Sequence, residues 1–217
     1  MAFANVHPKV EQYLMRLASI HDEEVLLDME KRAADNGFPI VGRLCGMYLE
    51  QMARSIGARR IFELGSGYGY SAYWFARAIG PDGEIHLTDS DPENERMATD
   101  YLKRAGLLDP ITFHVGDALE AFESVQGEFD IVYCDIDKHG YPEAWHKARH
   151  RIRVGGLYLC DNMLAGGSVT GDPEATKRWE GYREAIMETN DAIFNDPDYL
   201  SVINPTRDGV VAALRLR

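Results

Sequence analysis

The chain has 217 residues, 45% of them hydrophobic, and its 35 acidic against 23 basic side chains give a formal net charge of −12. That length and apolar fraction supply one sizeable core, and the acidic balance argues against a broad grip on nucleic-acid phosphates or on an anionic membrane surface. No apolar run reaches the length of a membrane span, Lys9, Glu11 and Arg16 interrupt the start of the chain where a leader would be apolar, and Cys45, Cys134 and Cys160 have neither metal-site nor disulfide-framework spacing. A soluble cytoplasmic protein with buried, reduced thiols is expected.

Val10, Leu14, Leu17 and Ala18 recur at helical spacing, and after Asp22 as a cap a second packing helix carries Leu26, Met29 and Ala33 on one face. Gly37 and Pro39 break the pattern before a third helical stretch, about Ile40 to Ile56. Residues 1–57 are thus expected to form helices that pack on, or dimerise, an α/β core of residues 58–217, the whole being one domain. In the core, strands are predicted over Arg60–Leu64, Glu84–Thr88, Ile111–Val115, Phe129–Cys134 and Gly156–Cys160. Helices fall over Ser71–Ile79, from Pro92 to the Gly106 stop, over Tyr141–Arg153, and from Asp172-Pro173 through Ile186. Asp91 caps the Pro92 helix, whose Glu93 and Glu95 complement its dipole. Two closing strands, Tyr199–Ile203 and Val210–Leu216, are joined by the Pro205–Gly209 turn, too short for a parallel crossover. The alternation predicts a Rossmann-like, mostly parallel seven-stranded sheet with one antiparallel strand.

Ligands in such sheets bind beyond the carboxyl ends of the strands. After the first strand come Gly65, Ser66, Gly67 and Gly69, a turn that lets backbone approach a ligand at the start of the helix containing Ser71. The Gly-x-Gly-x-Gly spacing and Glu63 at the strand end favour S-adenosylmethionine over NAD. Asp89, about twenty residues on, stands where a carboxylate meets ribose hydroxyls, and Asp117-Ala118 is a candidate adenine contact, with Asp117 equally suited to cap the next helix. Asp135 follows the fourth strand and Asp161-Asn162 the fifth; three hard oxygen donors without His or Cys suit Mg²⁺, with Mn²⁺ or Ca²⁺ as alternatives.

These pieces together resemble the metal-dependent O-methyltransferases of the catechol and caffeoyl-coenzyme A type, and especially their small bacterial relatives. The resemblance runs from about Gly37 to Arg217 and rests on Glu63–Ser71, Asp135-Ile136-Asp137-Lys138 with Tyr141, Gly155-Gly156, Asp161-Asn162 with Leu164 and Gly167, and Asp208-Gly209. It implies Asp135, Asp161 and Asn162 as metal ligands, Lys138 as catalytic base, and Glu63, Gly65, Ser71 and Asp89 as cofactor contacts, with Asp135 reaching the cofactor as well. It also implies methyl transfer from a sulfonium to a hydroxyl of a small catechol-like or phenolic acceptor, and a homodimer formed through the N-terminal helices.

Where many relatives carry an aromatic residue, two places after Met163, this chain has Ala165 followed by Gly166 and Gly167. The Leu164–Thr170 loop and the N-terminal helices are lid candidates. Tyr68, Tyr141, Met163 and Trp179 are candidates for the acceptor pocket, although aromatics at such spacings also build cores. A hydroxylated base in tRNA is an alternative acceptor, for which Lys147, Arg149, Arg151 and Arg153 offer a basic strip; a non-catalytic S-adenosylmethionine-binding protein is another reading.

Overall fold

Strands form where the sequence runs apolar or β-branched between turn residues, and the computed structural model, which describes residues 6–217, contains seven of them among those residues. They are β1 (Arg60–Leu64), β2 (Glu84–Asp89), β3 (Ile111–Val115), β4 (Phe129–Cys134), β5 (Ile152–Cys160), β6 (Tyr199–Asn204) and β7 (Val210–Arg215). The sheet order is β3-β2-β1-β4-β5-β7-β6. β7 runs antiparallel to both β5 and β6, whereas β1–β2, β2–β3 and β4–β5 are parallel, as the short Pro205–Gly209 connection requires. Backbone contacts divide the chain into two compact units, Gln12–Gln126 and Gly127–Arg217, the second together with the segment ending at Glu11. The first five positions of the expected N-terminal helical region lie outside the described residues. Among the described residues no helix is long and apolar enough to cross a membrane.

The first helix, α1 (Pro8–Ala18), buries only Ala18 and leaves Val10, Leu14 and Leu17 at 38–48% exposure, so it is not the packing helix its periodicity predicts. α2 (Glu24–Asn36) does bury Leu26, Met29 and Ala33. Asp22 does not cap it; Glu23 holds the cap position without a side-chain bond, and Asp22 instead pairs with Arg43 of α3 (Gly42–Ser55). Arg43 is only 5% exposed and also takes Glu30 at 2.8 Å, because a buried guanidinium needs carboxylates around its fork. The remaining helices of the Gln12–Gln126 unit are α4 (Tyr70–Ile79), α5 (Pro92–Arg104) and α6 (Ala118–Ser124). Asp91 caps α5 as predicted, accepting from Glu93 N at 2.9 Å.

In the Gly127–Arg217 unit, α7 (Tyr141–Ala148) stops short of the predicted Arg153, and β5 starts at Ile152 rather than Gly156. The reason is long-range: Phe129 pairs with Ile152, and the register slips before Ile131 pairs with Leu157. Gly155 (φ 78°) and Gly156 absorb that slip, since a Cβ on Gly156 would lie 2.7 Å from the Asp130 carbonyl. The helix predicted through Ile186 divides into α8 (Pro173–Arg178) and α9 (Arg183–Phe194), with Gly181 at φ 87° between them.

Candidate active site

The glycine turn after β1 takes left-handed backbone at Gly65 (φ 82°), Gly67 (φ 49°) and Gly69 (φ 85°), and a Cβ on Gly67 would stand 3.0 Å from the Phe38 ring. Thr88 clamps the turn to β2. Its hydroxyl donates to Glu63 O at 2.9 Å and accepts from Gly65 N at 3.0 Å, while its amide donates to Ser66 Oγ at 3.1 Å and its carbonyl accepts from Ser66 N at 2.8 Å. Thr88 is absent from the residues expected at the site, although a hydroxyl one residue before Asp89 is a signal that could have marked it. Glu63 is fully buried and accepts from Ser71 Oγ, so two of the predicted cofactor residues meet at the first turn of α4. Gly69 holds the cap position of α4 with no side-chain bond, so no side chain caps the positive end of this helix.

Asp89 is oriented by Asp91 N at 2.9 Å and by Asn94 Nδ2 at 3.0 Å. Asn94 is 6% exposed, and no local signal in the sequence distinguished it. Asp117 caps α6, accepting from Leu119 N and Glu120 N at 2.9 Å each, with Ala118 as the first helical residue. Tyr68, an acceptor-pocket candidate, is a core residue instead: it is 1% exposed and donates to Met29 O at 2.9 Å. Tyr70 donates to Glu30 at 2.7 Å and Tyr73 to Glu23 at 2.6 Å, so three tyrosines tie the glycine turn and α4 to α2 and its start.

In the Gly127–Arg217 unit, Cys134 on β4 lies opposite Cys160 on β5, so Asp135 and Asp161 leave neighbouring parallel strands at one level, with Asp161 N donating to Cys134 O at 3.2 Å. Both thiols, like Cys45, are buried. Asp161 is 3% exposed and its Oδ1 has no hydrogen-bond partner. Burial, reinforced by Asp135, pushes its carboxyl up to about 7. Burial also raises Asp135, against the pull of Lys138, whose Nζ lies 2.8 Å from Asp135 Oδ1 and 3.2 Å from Ile136 O. For Lys138 itself burial favours the neutral amine, but Asp135 outweighs it and the ammonium is held above its usual range.

Tyr141 is buried and donates to Asp161 O at 3.1 Å, and Lys138 Nζ lies over its ring at 5.1 Å from the centroid, so it packs directly against the candidate site; Met163 is buried as well. The non-glycine residues with positive φ among the described ones gather here: Asn162 (62°), Ala165 (47°) and Arg207 (54°). Strained backbone of this kind concentrates at functional sites. The Leu164–Thr170 segment, a lid candidate, is hydrogen-bonded to neighbouring elements at several points. Met163 N and Leu164 N donate to Gly209 O and Asp208 O at 3.0 and 2.9 Å, and Arg183 Nε donates to Ser168 O at 2.9 Å. Gly166 meets the N–H edge of the Trp179 indole, where a Cβ would be 2.2 Å from Nε1, so an indole packs beside the loop that lacks an aromatic at Ala165.

Among the described residues no group of three or more His, Cys, Asp or Glu side chains is arranged to hold an ion. Asp135, Asp161 and Asn162 are two carboxylates and an amide, an open set of hard donors of the kind Mg²⁺ takes when waters or substrate oxygens complete its shell. The unpartnered oxygen on buried Asp161 fits a cation, since a carboxylate withdrawn from water calls for a positive partner. The basic strip is engaged within the chain: Lys147 with Glu143 at 3.4 Å, Arg149 with Asp196 at 3.0 Å, Arg151 with Gly127 O at 2.7 Å, and Arg153 with Asp130.

Residues 17–216 match the family model for O-methyltransferases. The chain is 32% identical over 179 residues to a caffeoyl-CoA O-methyltransferase of Eucalyptus gunnii, covering 79% of this chain and 72% of that one. It is 28% identical over 218 residues to a catechol O-methyltransferase of Niastella koreensis, covering 96% and 97% of the two. Among solved structures, the O-methyltransferase TomG from Streptomyces achromogenes, in complex with SAM, is similar at a TM-score of 0.81 and 27% identity, over 94% of this chain and 95% of that one. With the family match spanning nearly its whole length and the glycine turn, Asp89 and the Asp135–Lys138 stretch in place, the chain belongs to the O-methyltransferase family.

Proposed function

We propose that this enzyme transfers the methyl group of S-adenosylmethionine to a hydroxyl of a small catechol-like or phenolic acceptor held by a divalent cation, with Mg²⁺ as the expected ion. The observation that carries the reading is the buried, unpartnered Oδ1 of Asp161 on the strand next to Asp135 and Lys138. Glu63, Gly65, Ser66, Gly67, Gly69, Ser71 and Asp89 would hold the cofactor, with the Asp117–Ala118 backbone and Asp135 as further contacts; Asp135, Asp161 and Asn162 would hold the ion. When bound, the cofactor would supply a methyl group on a sulfonium, and a cation held by Asp135, Asp161 and Asn162 would supply Lewis acidity toward the acceptor hydroxyl. Lys138 then takes the hydroxyl proton at Nζ, a role that requires it to give up the ammonium form Asp135 now stabilises. The Asn162–Thr170 loop and Trp179 form a wall that keeps the acceptor in one orientation and limits water.

The test is a methyl-transfer screen over catechols, phenolic acyl thioesters and tRNA, each with Mg²⁺ and with chelator. Demethylated cofactor should accumulate with a small phenolic acceptor and only when Mg²⁺ is present. Transfer that ignores chelator, or that occurs on tRNA alone, overturns the proposal.

Self-association is a second part of the reading. The α1 side chains Val10, Tyr13, Leu14 and Leu17 are 38–53% exposed, an apolar face that a second copy would cover, in line with the N-terminal pairing implied by the resemblance. Sedimentation at tens of micromolar should give a homodimer; a monomer there defeats this part.

A further inference from the structure

We propose that Asp208, in the turn between β6 and β7, is a positioning residue that sets which end of the Asn162 side chain faces the ion. The inference rests on the reading of Asp135, Asp161 and Asn162 as ion ligands.

Asp208 touches the strained stretch at several points. Its backbone oxygen accepts from Leu164 N at 2.9 Å, its Oδ1 accepts from Gly166 N at 2.5 Å, and its Oδ2 lies 3.4 Å from Asn162 Nδ2. One side chain therefore spans both ends of the turn in which Asn162 and Ala165 hold positive φ. The turn is held close: Met163 N donates to Gly209 O at 3.0 Å, and Gly209 packs so closely that a Cβ there would lie 2.6 Å from Leu164 Cγ.

The chemistry of the contact gives it direction. An ionised carboxylate only accepts hydrogen bonds, whereas an amide carries a donor nitrogen and an acceptor oxygen at nearly equal reach. Facing Asp208, Asn162 lowers its energy by presenting Nδ2, and this turns Oδ1, its hard-donor atom, toward the other side. Left without such a partner, the amide has two nearly equivalent orientations, one of which would present an N–H to a cation. Partners of this kind, one step behind the ligand, typically change metal affinity 10–100-fold. Asp208 lies 46 residues from Asn162, so only the packing of the β6–β7 turn against the 162–166 loop creates the pair.

The experiment is Mn²⁺ binding to the full chain, followed by the loss of the free-ion electron paramagnetic resonance signal, for wild type, Asp208→Asn, Asn162→Ala and the double variant. Asp208→Asn keeps an oxygen to accept from Gly166 N but places an NH₂ opposite Asn162 Nδ2, which forces that amide to flip. Its Mn²⁺ affinity should fall about 10–100-fold, with S-adenosylhomocysteine affinity by calorimetry unchanged. The double variant should bind Mn²⁺ no more weakly than Asn162→Ala alone. Should Asp208→Asn yield no folded protein, Asp208→Ser enters the same cycle; it removes the partner without forcing a flip, so its Mn²⁺ affinity should fall by only about twofold, and again not at all on top of Asn162→Ala. Wild-type Mn²⁺ affinity in the Asp208 variant, or losses that simply add in the double variant, overturn the proposal while leaving the ion reading standing. A wild type that binds no Mn²⁺ overturns the ion reading, and this proposal with it.

Discussion

Asp161→Ala should reduce methyl transfer to background while leaving the affinity for S-adenosylhomocysteine close to wild type. The separation follows from the proposed roles: the cofactor is held mainly by Glu63, Gly65, Ser71 and Asp89, at and just after the ends of β1 and β2, and Asp161 holds only the ion. Turnover assays alongside calorimetry check it, and excess EDTA on the wild type should reproduce the loss. Stability should move the opposite way. The Asp161 carboxyl is buried with no donor to Oδ1, so in EDTA the Asp161→Asn variant, which keeps the shape but carries no charge, should resist urea better than wild type. A variant with wild-type turnover in excess EDTA, or one less stable than wild type without metal, removes the reason for placing an ion here.

Replacing Lys138 should have the next largest effect. Lys138→Ala removes the proton acceptor but neither carboxylate nor any residue of the glycine turn. Rate should fall by about 10² to 10⁴, the range for a lost general base, with Mn²⁺ and S-adenosylhomocysteine binding retained. Lys138→Arg is the sharper variant: a guanidinium preserves the positive charge beside Asp135, now 2.8 Å away, yet cannot be deprotonated in a protein. A base role predicts that Arg fails as badly as Ala and that the Ala variant regains part of its rate as pH rises, when the hydroxyl ionises without help. If Arg sustains wild-type turnover, Lys138 contributes charge alone and the proton leaves by another route.

Features that depend on a few consecutive residues were legible in the sequence. Alternation of apolar runs with glycine and proline punctuation was enough for the strand order along the chain, for α5 with its Asp91 cap, and for the glycine turn. The antiparallel β7 followed from a connection too short to cross over. The positions directly after β1, β2, β4 and β5 could be named for the same reason, because a strand end and the polar residue beyond it are adjacent in sequence.

Tertiary structure decided whatever depends on a partner far along the chain. Asp22 has the chemistry of a cap, but buried Arg43 claims it. Gly155-Gly156 looks like a strand start and is a bulge, because Phe129 extends the pairing back to Ile152. Tyr68 has the aromatic character of a pocket wall, yet its hydroxyl reaches Met29 O inside the core. Asn94 carries no local mark of importance, and the marks on Thr88 and Asp208 do not name their partners, since Gly65 N and Gly166 N reach them only once distant segments have packed. Periodicity and capping are local free-energy preferences that a sequence displays directly, whereas the partner of a buried polar group is chosen by the fold as a whole, which must satisfy every such group at once.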